Sequence, residues 1–201
     1  MDIENCFSQN TYIGRRNHQK KMNKGSLFKE LFVNLKTTGA ITFSSKSLVN
    51  KMLSFADFSG VKTIVELGGG DGSITRGIVE RMDEDAVLLV FEISRAFCEN
   101  LAEEFPQKNV HIICDSAENL DRYLDGRNAD LILSSLPFSL ISKESRTEIY
   151  KKSKSSLSVN GKFIQICYSY LLKFQFAAHF QHISTTFTLK NFPPAFIIIC
   201  N

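Results

Sequence analysis

The residues best equipped for chemistry lie in Thr63–Thr75, TIVELGGGDGSIT. A short β-branched run ends in Glu66 and Leu67. Gly68, Gly70 and Gly72 follow at alternate positions, with Gly69 among them, before a helical pattern opens at Ser73. Glycines at such a corner let the backbone take φ > 0 and let a ligand lie against it at the carboxyl edge of a sheet. A nucleotide-like cofactor is the expected guest. Spacing removes two candidates, because a dinucleotide fingerprint, G-x-G-x-x-G, needs glycine where Ser73 stands, and a phosphate loop needs lysine at that same position. Glu92 closes the next apolar run, Val87–Phe91, twenty residues past Gly72. A carboxylate there can accept two adjacent ribose hydroxyls at once. A third acid, Asp115, ends the run Val110–Cys114, where it would serve equally as a cap for the helix that follows.

The pattern E-x-G-x-G-x-G resembles the first motif of class I S-adenosylmethionine-dependent methyltransferases. That resemblance implies S-adenosylmethionine as cofactor and S-adenosylhomocysteine as product. It implies a cofactor site made of Ser44, Ser45, Glu66, Gly68, Gly69, Gly70, Gly72, Glu92, Ile93, Asp115, Ser116 and Ser134, with Glu92 on the adenosyl ribose and Asp115 accepting from the adenine amino group. Three more segments narrow it: AITFSSKSL from Ala40 to Leu48, SSLPF from Ser134 to Phe138, and NFPPAF from Asn191 to Phe196. In that order they are similar to the bacterial phospholipid N-methyltransferase group, over a stretch from Leu27 to the C-terminus. Phe43 departs from that pattern by replacing a proline, Asp71 by standing where a small hydroxyl residue is commoner, and Phe138 by replacing leucine.

The resemblance implies a lipid amine as methyl acceptor, such as the head group of phosphatidylethanolamine. Methyl transfer from a sulfonium is an in-line displacement, so the protein has to align an amine lone pair and let a proton leave. Ser134, Ser135 and the Leu136 carbonyl are expected to take N–H bonds. Tyr168 and Tyr170 are expected to offer a hydroxyl for proton relay and π faces for a methylammonium. The alternative is an adenine N6-methyltransferase of the ribosomal RNA dimethylase type, whose loop reads N-[LI]-P-[YF]. Leu136, Pro137 and Phe138 share its second half, but Ser135 stands where its asparagine would be. That asparagine amide and the neighbouring carbonyl accept from the exocyclic amine, a task for which a serine hydroxyl is shorter and differently placed.

The elements that must position these residues are legible in the hydrophobic periods. Strand-like runs at 62–67, 87–91, 110–114, 129–133 and 161–168 alternate with helical patterns at 73–81, 95–104, 117–124, 143–157 and 171–179. This alternation predicts an α/β sandwich, a parallel sheet covered on both faces. Ile183–Leu189 and Ala195–Cys200 are separated only by Lys190–Pro194, too short for a crossover, so they should pair antiparallel. The resemblance adds a Rossmann-like, mostly parallel seven-stranded sheet of order 3-2-1-4-5-7-6. Upstream, 47–55 reads as a short helix capped by Ser44 or Ser45. Leu27, Phe28, Leu31, Phe32 and Leu35 fall on one face of a helix over 27–36.

Composition bounds the rest. With 201 residues, 43% of them hydrophobic and 22% charged, the chain reads as one globular domain. Net charge is +3, but residues 1–62 carry ten Lys/Arg against four Asp/Glu while 63–201 carry fourteen against seventeen. The expected division is a basic flexible arm over 1–26 and a single methyltransferase domain over 27–201, with N-terminal helices over 27–59 and the cofactor-binding core over 60–201. Residues 15–36 could meet an anionic membrane surface, and RNA is the second choice of partner. The five cysteines contain no C-x-x-C pair, which removes zinc-ribbon and thioredoxin readings. His111 reads as a core residue, and the other histidines have no ligand spacing, so no metal is expected. Gln165, Ser169, Lys173, Gln175 and His179 interrupt the Phe- and Leu-rich stretch 163–180, which argues against a membrane span. Asp2, Glu4 and Asn5 are unlike a signal peptide, so the cytoplasm is expected, with peripheral contact at the inner membrane face.

Overall fold

The computed structural model describes residues 12–13, 45–189 and 194–201. Seven strands make the body of one sheet: β1 (Thr63–Leu67), β2 (Val87–Phe91), β3 (Val110–Ile113), β4 (Ala129–Ser134), β5 (Leu157–Cys167), β6 (Ile183–Thr188) and β7 (Ala195–Cys200). Their spatial order is 3-2-1-4-5-7-6. The first five are parallel, and β7 runs antiparallel to both β5 and β6. This is the Rossmann-like sandwich that the alternating pattern and the resemblance together predict. Chain order reverses at β1 and β4, and in open α/β sheets ligands bind in the crevice at that reversal. Within the basic arm, Tyr12–Ile13 pairs in parallel with Ile112 and Ile113 and lengthens the sheet past β3.

The helices are α1 (Lys46–Leu53), α2 (Ser73–Val79), α3 (Arg95–Glu104), α4 (Lys143–Ser156) and α5 (Leu172–Ala177). One side of the sheet is covered by α1, α2 and α3, where Leu48, Met52, Ile78 and Leu101 pack on Ile64, Leu88, Leu133 and Ile164. The other side is covered by α4, α5 and a 3-10 turn, where Leu120, Tyr150 and Phe176 pack on Leu67, Phe91, Ile132 and Phe163. Each parallel strand is therefore apolar on both faces, which is why the strands read as continuous runs.

Three details depart from the sequence expectation. Ala117–Arg122 is a 3-10 helix, capped by the Ser116 hydroxyl on the Glu118 N–H at 3.2 Å. β5 leaves α4 directly at Leu157 instead of starting at Gly161. Its register with β4 shifts between Ala129, opposite Leu157, and Leu131, opposite Lys162. Ser158, an exposed Val159 and Asn160 fill that irregularity, so no alternation marks the strand's beginning. β5 also ends at Cys167, which leaves Tyr168 and Tyr170 beyond it. The helix expected over 27–36, the rest of the arm, Phe43, Ser44 and residues 190–193 lie outside the described residues.

Candidate active site

The glycine turn lies between β1 and α2 and is stitched to its neighbours by its own backbone. Gly68 and Gly69 both donate to the Phe91 carbonyl, at 2.9 and 3.1 Å. Gly70 donates to Glu92 Oε2 at 2.9 Å, and Ser94 donates to Oε1 of the same carboxylate at 2.8 Å. Glu92 thus ties the loop after β1 to the loop after β2, and the residue is 6% exposed. Burial raises its pKa above the ordinary carboxylate range, and the N–H bonds from Ser94 and Gly70 pull it back part of the way. Gly70 has φ +52, and a Cβ there would meet nothing within 4 Å. The loop therefore opens at Gly70 onto free space, with Glu92 as its floor.

Glu66 sits at the end of β1, fully buried, and neither of its carboxylate oxygens has a hydrogen-bond partner among the described residues. Burial pushes its pKa up to about 8. Thr75 offsets a part of that rise, while Glu92 and Asp71 add to it. Burying an uncompensated carboxylate is costly enough that such a group stays protonated or waits for a cation. Asp115 differs from both: Oδ1 accepts from the Ser116 N–H at 2.7 Å and from Asn119 at 3.0 Å, and Oδ2 accepts from Tyr123 at 2.8 Å. Ser116 is the cap, so Asp115 is fixed by its neighbours instead of capping. Ile93, 45% exposed, follows Glu92 at the lip of the same loop.

The Ser134–Phe138 loop leaves β4 beside the glycine turn. The Ser135 hydroxyl donates to the Gly68 carbonyl at 2.9 Å, and the Ser135 N–H donates to Leu67 at 3.0 Å. Ser134 is buried, and its hydroxyl accepts from the Leu136 N–H at 3.3 Å. Phe138 inserts into an aromatic cluster, with its ring centroid 4.7 Å from that of Tyr150 and 5.6 Å from that of Phe176. Its carbonyl accepts from Arg146 at 3.0 Å. The Leu136 carbonyl accepts from the Phe138 N–H at 2.9 Å and from Gln165 Nε2 at 3.0 Å.

That last pair corrects one expectation. A carbonyl oxygen has two lone pairs, and both on Leu136 already face donors of this chain. The Leu136 carbonyl is thus engaged within the chain. The Ser135 hydroxyl has its proton committed to Gly68, so any further partner meets its lone pairs. The Ser135 carbonyl accepts no backbone hydrogen bond among the described residues.

Other expected residues come out separately. Ser45 caps α1, accepting from the Leu48 N–H at 3.2 Å. Tyr168 and Tyr170 are about half exposed and, among the described residues, make no hydrogen bond to Ser134, Ser135 or Leu136. One face of Tyr170 is taken by Lys173, whose Nζ lies 3.9 Å from the ring centroid and also contacts the Tyr170 hydroxyl. Among the described residues no group of His, Cys, Asp and Glu has the arrangement of a metal site. Gln165 and Arg146, which hold the Ser134–Phe138 loop, are absent from the sequence-based site. Gln165 carried one signal, as a lone polar residue inside the apolar run Phe163–Cys167.

Comparison with known proteins finds methyltransferases. A family described as "Methyltransferase domain" matches residues 64–161. An ornithine lipid N-methyltransferase of Singulisphaera acidiphila is 28% identical over 148 residues, 71% of this chain and 77% of that protein. A ribosomal RNA small subunit methyltransferase A of Ureaplasma parvum is 27% identical over 157 residues, 73% of this chain but only 53% of its own length. Among solved structures, the 1,6-didemethyltoxoflavin-N1-methyltransferase of Burkholderia thailandensis, with S-adenosylhomocysteine bound, superposes with a TM-score of 0.67 at 12% identity, covering 93% of this chain and 92% of that one. The methyltransferase-domain match and the likeness to the lipid and ribosomal RNA methyltransferases make the chain an S-adenosylmethionine-dependent methyltransferase, and the solved structure shares its class I fold.

Proposed function

We propose that this methyltransferase acts on the primary amine of a lipid head group. The observation that carries the reading is the state of the Ser134–Phe138 loop. Adenine N6 methylation calls for two acceptors, a side-chain amide and the carbonyl next to it. Here the first is Ser135, and the second, on Leu136, already accepts two donors of the chain itself. A flexible alkylamine makes a lesser demand, because it can turn its N–H bonds toward the Ser135 hydroxyl and carbonyl without a flat, two-point match. The bound cofactor supplies an electrophilic methyl group. The chain's part is to hold the amine at Ser135 with its lone pair aligned, and to keep water out through the buried Phe138 behind the loop.

A lipid acceptor also fits the surface beside the loop. Leu171 and Phe174 are 69% and 62% exposed, and Tyr170 and Phe187 both pack on Phe196, with centroids 5.5 and 4.9 Å away. Phe196 pairs with Cys167 at the carboxyl end of β5, so these rings line the sheet edge at which the acceptor loop lies. Aromatic and leucine side chains with an interleaved lysine, Lys173, suit the boundary between head groups and acyl chains. Among the described residues no helix is long and apolar enough to cross a membrane.

The test is methyl transfer from labelled S-adenosylmethionine to vesicles containing ornithine lipid, to vesicles containing phosphatidylethanolamine, and to total cellular RNA. Label in either lipid is the expected result. Label confined to adenine in RNA overturns the proposal and restores the ribosomal RNA reading.

A further inference from the structure

We infer that Gln165 is the positioning residue of the acceptor loop. It sits near the end of β5, fully buried, in register with Ser134 on β4 and Ile198 on β7. Leu67, Ser134 and Gln165 are register neighbours across three adjacent strands and therefore point to the same face of the sheet. From there Nε2 donates to the Leu136 carbonyl at 3.0 Å and contacts the carbonyl of Ile166. Two carbonyls fix the orientation of the amide, since turning it over would set Oε1 against both of them. Oε1 is left buried without a partner.

That leftover oxygen is the reason to look for a role. A leucine or methionine would fill the same space between Phe163 and Cys167 without burying an unpaired acceptor, so packing alone does not explain an amide here. What the amide does, and an apolar residue cannot, is hold a loop carbonyl. Leu136 lies between Ser135, which offers the acceptor lone pairs, and Pro137, about which the chain turns so that Phe138 N–H returns to Leu136. Pinning the Leu136 carbonyl from below fixes the Leu136–Pro137 peptide, one residue beyond Ser135. It also holds that carbonyl away from the substrate, leaving Ser135 as the point of contact. The inference rests on the reading of this loop as the acceptor loop.

Gln165→Leu and Gln165→Glu test it in the full chain. Both variants should bind S-adenosylhomocysteine like the parent in calorimetry, because Gln165 touches none of the glycine turn. Gln165→Leu should lower kcat about 10²-fold, the cost of a reacting group displaced by an ångström, while leaving KM for the acceptor little changed. Gln165→Glu should regain activity as pH falls, since only the protonated carboxyl can donate to Leu136 and the ionised one repels it. The parent should have no such acid-favoured limb. Hydrogen exchange over residues 134–140 gives a readout that needs no substrate: the Phe138 amide should exchange faster in Gln165→Leu, with the Ser135 amide unchanged. Parental kcat together with parental exchange in Gln165→Leu overturns the inference. If Gln165→Leu does not fold, the pH profile of Gln165→Glu decides, a profile parallel to the parent's overturning it. If the parent labels neither lipid nor RNA, the lipid reading fails, and the exchange experiment still supports or overturns the role of Gln165.

Discussion

Replacing Glu66 by glutamine keeps the volume of the side chain and removes its titration, and the effect on folding can be worked out in sign and size. In the folded protein without ligand the Glu66 pKa lies at about 8, against 4.5 for an unperturbed glutamate, because burial penalises the ionised form. A raised folded pKa means that the group's contribution to stability is complete below pH 4.5 and is lost as pH rises toward 8. Between pH 5 and 7 the parent should therefore lose close to one proton's worth of stability per pH unit, about 1.4 kcal/mol each. The sum by pH 7 is about 3 kcal/mol, a large share of the 5–15 kcal/mol that typical domains possess. Glu92, also raised by burial, contributes equally to parent and variant and cancels in the comparison. Urea unfolding of both proteins at half-unit steps from pH 4.5 to 8, without cofactor, should give curves that diverge steadily, with Glu66→Gln the more stable above pH 6. Parallel curves would refute the argument, since they would mean that Glu66 ionises in the folded state as readily as in the unfolded one.

Gly70→Val should abolish S-adenosylhomocysteine binding in calorimetry while leaving the cooperative melt in place, because its Cβ points into open space and only the φ of +52 strains the fold. Glu92→Gln should weaken that binding by about 1.5–3 kcal/mol, roughly 10- to 100-fold, since one acceptor of the pair facing Gly70 and Ser94 becomes a donor. Gly69→Ala should act on stability instead. Its Cβ would lie 2.6 Å from Val90 Cγ1 and 2.8 Å from Leu101 Cδ1, an overpacking worth about 1–3 kcal/mol in a denaturant melt.

The sandwich was legible because each strand that positions the site is buried on both faces and so reads as an unbroken apolar run, as in Val87–Phe91 and Ala129–Leu133. The start of β5 was not, because Ser158 to Asn160 occupy a register shift where side chains answer to no alternating face. The positions of Glu66, the glycine turn and Glu92 were legible because these features are local: a turn with φ > 0, an acid at a strand end. The fate of Leu136 was not. Whether its carbonyl is available depends on Gln165, 29 residues further along, and no local pattern carries a bond of that span. Tyr170 is a similar case, as its ring looked open in sequence and is covered by Lys173 three residues on. Polar contacts between loops and distant strands are where residue types alone stop being informative.

Glu66, Glu92 and Asp115, the acids that the resemblance assigns to the cofactor, differ in what they have left to give, and on that assignment the difference predicts how affinity is divided along the cofactor. Asp115 already accepts three hydrogen bonds and Glu92 two, so a ribose or adenine donor meeting them adds to groups that are stable as they stand. Glu66 accepts none. A ligand cation brought beside it relieves a buried carboxyl of its main penalty, and the only such cation on S-adenosylhomocysteine is the α-ammonium. Binding should then require Glu66 to lose its proton, so affinity for S-adenosylhomocysteine should climb with pH up to about 8, approaching tenfold per unit at the acid end. Adenosine, which has no ammonium, should bind more weakly and with no such slope. Calorimetric titration of both ligands at pH 6, 7 and 8 separates the cases. Equal slopes for the two would move the titration to the nucleoside end and remove Glu66 from the ammonium; in Glu66→Gln the slope for S-adenosylhomocysteine should vanish.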